Sequence, residues 1–237
     1  MSTEPDGDLL PGTFLRELPP DGRTVLRQAG TARRFRAGAV LFHQGDPSRH
    51  VVLIETGWAK ITVSGRHGSE ALLAIRGAGD IVGELSAIDG RPRFATVTAL
   101  TPISATVLSA ERLEQCMDAE GPIARALLRH LAANLRESDR RRALHGASNG
   151  DARVIGLLQE LVERNGVRTG EGIMINLPLS QKDLADAVAA SREVVARTMR
   201  VLRGRQVVVT RRRQIVVLRP DLLHSLARSV SMSTDDR

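Results

Sequence analysis

The sequence predicts an α+β chain in three pieces, with boundaries at 12–120, 121–147 and 148–237. Three observations carry that reading. Short apolar runs broken by glycines fill 33–107, a long helical periodicity spans 121–144, and short amphipathic helices followed by two β-branched runs occupy the stretch from 151 onward.

The first piece reads as strands at 39–42, 51–55, 59–63, 71–75, 96–100 and 104–108. Gly45, Gly57, Gly65 and Gly68 separate the early ones, and Pro47 and Gly77-Ala78-Gly79 mark further turns. A spacing of about ten residues between strands favours a β-roll or sandwich over βαβ units. Gly77-Ala78-Gly79 lacks the strand–helix surroundings of a dinucleotide loop and is read as a turn.

The second piece begins at Gly121-Pro122, where a proline suits the first helical turn because its missing N–H has no partner there. Ala124, Leu128, Leu131, Leu135, Ser138, Arg142 and His145 follow a four–three alternation, apolar first and polar later. Two copies of the chain can pair along such a seam, although a helix packed on its own domain shows a similar stripe. His145-Gly146-Ala147-Ser148-Asn149-Gly150 then reads as a hinge.

In the third piece Val154, Leu157, Leu158 and Leu161 give a first helix one apolar face, and 173–177 reads as a strand. Ser180 is placed to cap a second helix with Asp183 completing a capping box, and Leu184, Ala185 and Val188 form its buried side. Ser191 is placed to cap a third helix, with Val194, Val195, Met199 and Leu202 inward. The runs 207–209 and 215–218 then make a hairpin around 210–214, with Arg211, Arg212 and Arg213 at its tip. Two short helices, a tight link and a hairpin form a winged helix-turn-helix.

Charge sharpens this. The chain carries a net +7, and from Arg192 to Arg213 there are eight arginines against one acid, Glu193. That concentration suits a phosphate-binding face, although a solvated basic helix would look alike. Lys60 and Lys182 are the only lysines, a bias that points to a GC-rich genome. Arg192, Glu193 and Arg197 share one face of the third helix, their offsets lying within ~100°. An arginine fork matches O6 and N7 of guanine, and a glutamate accepts from the N4 amine of cytosine. A surface pair between Glu193 and Arg197 is the plainer alternative.

Other classes are disfavoured. No run of about 18 apolar residues occurs, so no membrane span is expected. The N-terminus carries Glu4, Asp6 and Asp8 without an apolar stretch, unlike a secretory signal. The single cysteine, Cys116, cannot by itself form an internal disulfide, a zinc site or an iron–sulfur site, and is expected to be a small buried hydrophobe. The expectation is a reduced, cytoplasmic protein without a metal. No activated nucleophile, paired-carboxylate site or Walker-type loop is visible, so an enzyme is not expected.

Ser191-Arg192-Glu193-Val194-Val195-Ala196-Arg197, preceded by Leu179-Ser180-Gln181-Lys182-Asp183-Leu184-Ala185, closely resembles the DNA-reading motif of the cyclic AMP receptor protein and fumarate–nitrate regulator family. The resemblance implies base reading by Arg192, Glu193 and Arg197 and phosphate contacts from Ser180 and Gln181, on a palindrome of TGTGA-like half-sites. It also implies a homodimer and RNA polymerase as a partner. The family often has glycine in the turn where this chain has Ala189. If that site needs φ > 0, alanine costs on the order of 1 kcal/mol.

Asp80-Ile81-Val82-Gly83-Glu84-Leu85-Ser86 and Arg91-Pro92-Arg93-Phe94-Ala95-Thr96 resemble the phosphate-binding cassette of cyclic-nucleotide-binding domains, a likeness running from about Phe35 to Leu108. It implies a cyclic AMP or other cyclic-nucleotide site from Gly83, Glu84, Leu85, Ser86, Arg93, Phe94 and Ala95, joined by Ser138 and Asp139 of the long helix. Glu84 would accept the ribose 2′-hydroxyl and Arg93 would pair with the phosphate; without a ligand the two can pair with each other. Phe94 departs from the pattern, standing where cyclic AMP binders usually carry a serine or threonine hydroxyl and bulky enough to crowd the pocket. Either a cyclic nucleotide gates the protein, or it binds DNA constitutively with a degenerate pocket. An iron–sulfur sensor would need a cysteine cluster. A haem sensor would need an axial ligand, for which His43, His50, His67 and His130 are available, although a lone histidine is more often structural.

Overall fold

The computed structural model describes residues 9, 10, 12–65, 70–147, 149–175, 177–211 and 214–232, and the chain divides into two units, 1–135 and 136–237. In the first unit two antiparallel four-stranded sheets face each other. One has the order β1 (Thr31–Phe35), β8 (Ile103–Leu108), β3 (Val51–Thr56), β6 (Ile81–Val82). The other runs β2 (Val40–Phe42), β7 (Thr96–Ala99), β4 (Ala59–Ser64), β5 (Glu70–Arg76).

Strand β3 explains why two layers and a helical cover are needed. Val51, Val52, Leu53 and Ile54 are all fully buried, so both faces of the strand must be covered. Val52 and Ile54 pack with Phe42, Ala59, Val82, Val97, Ala99, Ile103 and Ala105 between the sheets. Val51 and Leu53 point the other way, into a core with Phe14, Leu15, Leu26, Leu113, Cys116, Ile123 and Leu127. That second core is built by α1 (Pro20–Ala29), α3 (Ala110–Ala119) and the start of α4 (Gly121–Ala147). Cys116 is buried there, and burial raises its thiol pKa.

Helix α4 carries two stripes. Ile123, Ala126, Leu127 and His130 are buried against their own unit. Leu128 and Leu135, seven residues apart and so on one side of the helix, are 66% and 63% exposed. Leu131, between them in the expected seam, is partly buried and packs against the core, so the expected seam is only partly free of the helix's own unit. The hinge expected at 145–150 is shorter than predicted: α4 continues through Ala147, and α5 (Gly150–Asn165) begins after Asn149, whose side chain accepts from the Ala152 N–H at 2.9 Å. The cap satisfies an orphan donor that a flexible link would have left to water.

The second unit places α5 over a sheet of order β11 (Val208–Arg211), β12 (Gln214–Val217), β10 (Gly172–Ile175), β9 (Gly166–Thr169), all antiparallel. Between the two hairpins lie α6 (Gln181–Ala187) and α7 (Arg192–Gly204), and α8 (Pro220–Met232) closes the unit against α5. Val154, Leu158 and Leu161 of α5 are buried, as are Leu184, Ala185 and Val188, then Val195, Met199 and Leu202. Ser180 and Asp183 form the full capping box, with each side chain bonded to the other's backbone N–H at 3.1 and 2.9 Å.

The link between α6 and α7 places Ala189 at φ 47°, in the left-handed region. A Cβ there crowds the following carbonyl, a strain glycine avoids. Ala189→Gly is expected to raise stability by about 1 kcal/mol, or a few degrees in Tm. Thermal unfolding followed by circular dichroism checks this, and a lower Tm would contradict it.

Candidate nucleic-acid interface and effector pocket

Helix α7 sorts its side chains by face. Val195, Thr198, Met199 and Leu202 are buried, and Arg192, Glu193, Arg197, Arg200 and Arg203 are exposed. Its cap, Ser191, accepts from the Val194 N–H at 3.4 Å, leaving the first turn of the helix at the surface. The Ser191 hydroxyl also bonds the Glu193 carboxyl, and this bond is the largest cause of its depressed pKa. Glu193 is thus ionised at neutral pH and acts purely as an acceptor. Ser180, Gln181 and Arg211 are exposed on neighbouring elements, while Arg212 and Arg213 lie outside the described residues.

Glu193 and Arg197 do not form the pair considered from sequence. Arg197 instead donates from Nη2 to Asp151 Oδ2 at 2.9 Å, and Thr198 Oγ1 donates to Oδ1 of the same carboxylate. Asp151 sits in the first turn of α5, close to α7 because residue 150 is glycine: a Cβ there would lie 2.8 Å from Val194 Cγ1. From two residues further along α5, the partly buried Arg153 donates from Nε to the Val188 carbonyl at 2.8 Å and from Nη2 to the Ala189 carbonyl at 3.1 Å. A cation on these carbonyls suits a helix C-terminus and steadies the strained link.

The contacts of Gly150, Asp151 and Arg153 with α7 and the link before it are not read from the sequence. The available signal was an acid and an arginine two positions apart at a helix start, which periodicity alone does not distinguish from ordinary solvated charge. Two further cations of this surface also hold carboxylates, Lys182 with Asp186 at 2.6 Å and Arg211 with Glu171 at 2.6 Å.

In the first unit the cassette residues form a continuous structure. Gly83, at φ 86°, caps the short helix α2 (Glu84–Asp89), and Gly90 ends it at φ 69°. A Cβ on Gly83 would fall 2.6 Å from Arg93 Nη1, so glycine is required by close approach as well as by its backbone angle. Arg93 is buried at 2% exposure and its guanidinium is held by protein acceptors. Nε donates to Ser48 Oγ at 3.1 Å, Nη1 to the Gly83 carbonyl at 3.0 Å and Nη2 to the His50 carbonyl at 2.6 Å. The Phe42 ring stacks on it at 4.0 Å. A direct Glu84–Arg93 bond is not what holds this arginine.

Glu84 is half-buried, and desolvation pushes its carboxyl above the usual range despite the nearby charges of Arg76 and Arg93. Ser86 and Ala95 are buried and Leu85 is exposed. Phe94 is 60% exposed, while its neighbours Arg93 and Ala95 are buried. Ser138 and Asp139 are exposed on α4.

Of the candidate haem ligands, His67 lies outside the described residues and His43 is exposed. The His50 ring packs edge-on to Phe42. His130 is buried against Phe14 and shares a 3.0 Å hydrogen bond with Asn134, whose Oδ1 accepts from Arg76 at 2.9 Å. That describes a satisfied core histidine.

Comparison with known proteins agrees with this geometry. Residues 32–120 match the family model of the cyclic nucleotide-binding domain, and residues 152–226 match that of the Crp-like helix-turn-helix domain. A "CRP-like cAMP-activated global transcriptional regulator" of Mycobacterium tuberculosis is 32% identical over 165 residues, covering 70% of this chain and 74% of that protein. The "Anaerobic regulatory protein" of Bacillus subtilis is 28% identical, covering 82% and 85%. Among solved structures, FixK2 from Bradyrhizobium japonicum superposes with a TM-score of 0.74 at 23% identity, covering 83% of this chain and 96% of that one, a likeness of fold. A β-roll of cyclic-nucleotide-binding type, a long helix and a winged helix-turn-helix, matched in sequence at both ends, place this chain in the cyclic AMP receptor protein and fumarate–nitrate regulator family of DNA-binding transcription regulators.

Proposed function

We propose that two copies of the chain bind a palindromic duplex with TGTGA-like half-sites, one α7 helix per half-site. The observation that carries this reading is the exposure of Arg192, Glu193 and Arg197 together on the first turns of α7, whose opposite face is buried. Arg192 and Arg197 read guanine edges and Glu193 accepts from cytosine. Ser180, Gln181 and Ser191 touch phosphate, and Arg211, Arg212 and Arg213 of the hairpin follow the neighbouring backbone. The division of labour follows the pieces 12–120 for sensing, 121–147 for dimerisation and 148–237 for DNA. The protein works in the cytoplasm, and RNA polymerase is its further partner.

Dimerisation runs along the exposed seam of Leu128 and Leu135, sites whose solvent exposure an isolated chain leaves unexplained. Pairing there sets the two recognition helices about 34 Å apart, one turn of duplex. A cyclic nucleotide or another small effector in the β-roll tightens the seam, a coupling typically worth about 1–3 kcal/mol. Glu84 and the Gly83 turn suit a ribose and an anion at the start of α2. The M. tuberculosis relative is named as cAMP-activated, which favours this class of effector.

A second reading, ligand-independent binding of DNA, is favoured by Arg93. Its three nitrogens already meet protein acceptors, and Phe94 supplies no hydroxyl to a phosphate. The two readings differ only in the sensor piece.

Arg192→Ala and Arg197→Ala are each expected to cost about 1–3 kcal/mol of discrimination. Competition binding between the selected site and random duplex measures this; unchanged selectivity in the double variant removes the DNA reading. Leu128→Glu with Leu135→Glu should convert the dimer to monomer in sedimentation experiments without loss of helical signal, and a persisting dimer would place the interface elsewhere. Calorimetry with cyclic AMP separates the sensor readings. Under gating, the nucleotide strengthens DNA binding at least several-fold. Under the ligand-independent reading it does nothing to the native protein, and Phe94→Ser restores nucleotide affinity by about ten- to hundredfold through a charge-assisted hydrogen bond.

A further inference from the structure

Arg197 is a long, exposed side chain, and a flexible guanidinium makes a poor reader of base edges because its conformers must be ordered on contact. Here it is not flexible in isolation. Its Nη2 bonds Asp151 Oδ2 at 2.9 Å, and the second oxygen of that carboxylate is held by Thr198 Oγ1. Thr198 is itself buried, and its Oγ1 also lies 2.8 Å from the Val194 carbonyl, so its single O–H is shared between that carbonyl and the carboxylate and is held beside the backbone of α7. The carboxylate is thus anchored at one oxygen and aims Arg197 with the other. Its approach depends on Gly150, the position where any Cβ would press on Val194.

We infer that Asp151 is a specificity-determining positioning residue: it holds the Arg197 guanidinium in the orientation that meets a guanine, although Asp151 itself touches no base. This rests on the reading of α7 as the base-reading helix. The Asp151–Arg197 pair itself, at 40% and 59% side-chain exposure, contributes little to stability. The bond occupies one nitrogen of a group with five N–H donors, which leaves a bidentate pair with O6 and N7 geometrically open. The carboxylate also stands beside a face meant for phosphate. It therefore opposes non-specific binding while it orders the specific contact.

The test compares the native protein with Arg197→Ala, Asp151→Ala, Asp151→Asn and Thr198→Val on the preferred half-site and all its single-base-pair variants, at one salt concentration, with circular dichroism to check folding. Arg197→Ala identifies the base pair that this arginine reads. Asp151→Ala is expected to lower discrimination at that same base pair by about three- to tenfold while leaving the other positions unchanged and non-specific affinity equal or higher. Asp151→Asn, which keeps an acceptor, should recover part of the loss. Thr198→Val, which keeps the buried shape and removes the anchor, should reproduce part of it.

Loss spread evenly over all positions would mark a structural role and overturn the inference. So would unchanged discrimination with uniformly tighter binding, which would make Asp151 a simple electrostatic mask. If Asp151→Ala does not fold, the Thr198→Val result decides between the same outcomes. Should Arg197→Ala itself flatten no position, the assignment of α7 has failed, a result distinct from failure of the Asp151 role.

Discussion

The close seating of the first turn of α5 on the start of α7 governs the second unit. Helix α7 leaves one face bare, so it is held only from behind and from its ends. Val195, Met199 and Leu202 hold it from behind through burial. Its N-terminal end is fixed by α5, where Gly150 permits contact with Val194, Asp151 engages Arg197 and Thr198, and Arg153 takes the carbonyls of Val188 and Ala189. The left-handed alanine in the link is tolerable in this setting because the surrounding bonds over-determine it.

The first unit solves a related problem differently. A buried guanidinium needs acceptors, and Arg93 finds three, two of them main-chain carbonyls and one of those from the very glycine that turns the cassette. The geometry that brings Gly83 against Arg93 is therefore internally stabilising and does not await an anion to be satisfied. An incoming phosphate would have to add to these bonds or displace some of them. This is the physical content of the choice between a gated and a constitutive regulator: the cassette arginine is already satisfied by protein acceptors. Desolvation also raises the pKa of the Glu84 carboxyl beside it.

Much of the fold was legible because it is written in period and punctuation. The strands at 51–55, 59–63 and 104–108 matched β3, β4 and β8 to within a residue or so, and Ser180 with Asp183 announced α6 through cap chemistry. Helices α1, α3 and α8 were not foreseen. Helix α1 buries only Gly22 and Leu26, too few positions to raise a periodic signal, and α3 buries only Leu113 and Cys116. Strand β6 has two residues and is recognisable only through its partner, β3. At the candidate sites, the bare face of α7 followed from spacing, but its bracing did not. Asp151 and Arg197 are far apart in the chain, and Arg93 meets Ser48 and His50 across a similar gap. Contacts of that range depend on where the sheets and helices come to rest, which local patterns do not encode.

The pairing of surface cations with acids bears on how such a face selects. Arg197 and Arg211 of the basic stretch, and Lys182 beside it, each hold a carboxylate at 2.6–2.9 Å, so part of the positive charge on this surface is locally balanced before any duplex arrives. Phosphate attraction is nonselective and strongest for bare cations. Balancing it lowers affinity for every sequence alike, whereas a correctly placed base edge recovers binding through bonds that only one sequence supplies. Exposed pairs are weak enough to be exchanged, each contributing roughly 0–1 kcal/mol. A face built from such pairs therefore gives up general adhesion at small cost to stability, and selectivity rises because the base-specific share of the remaining binding energy is larger.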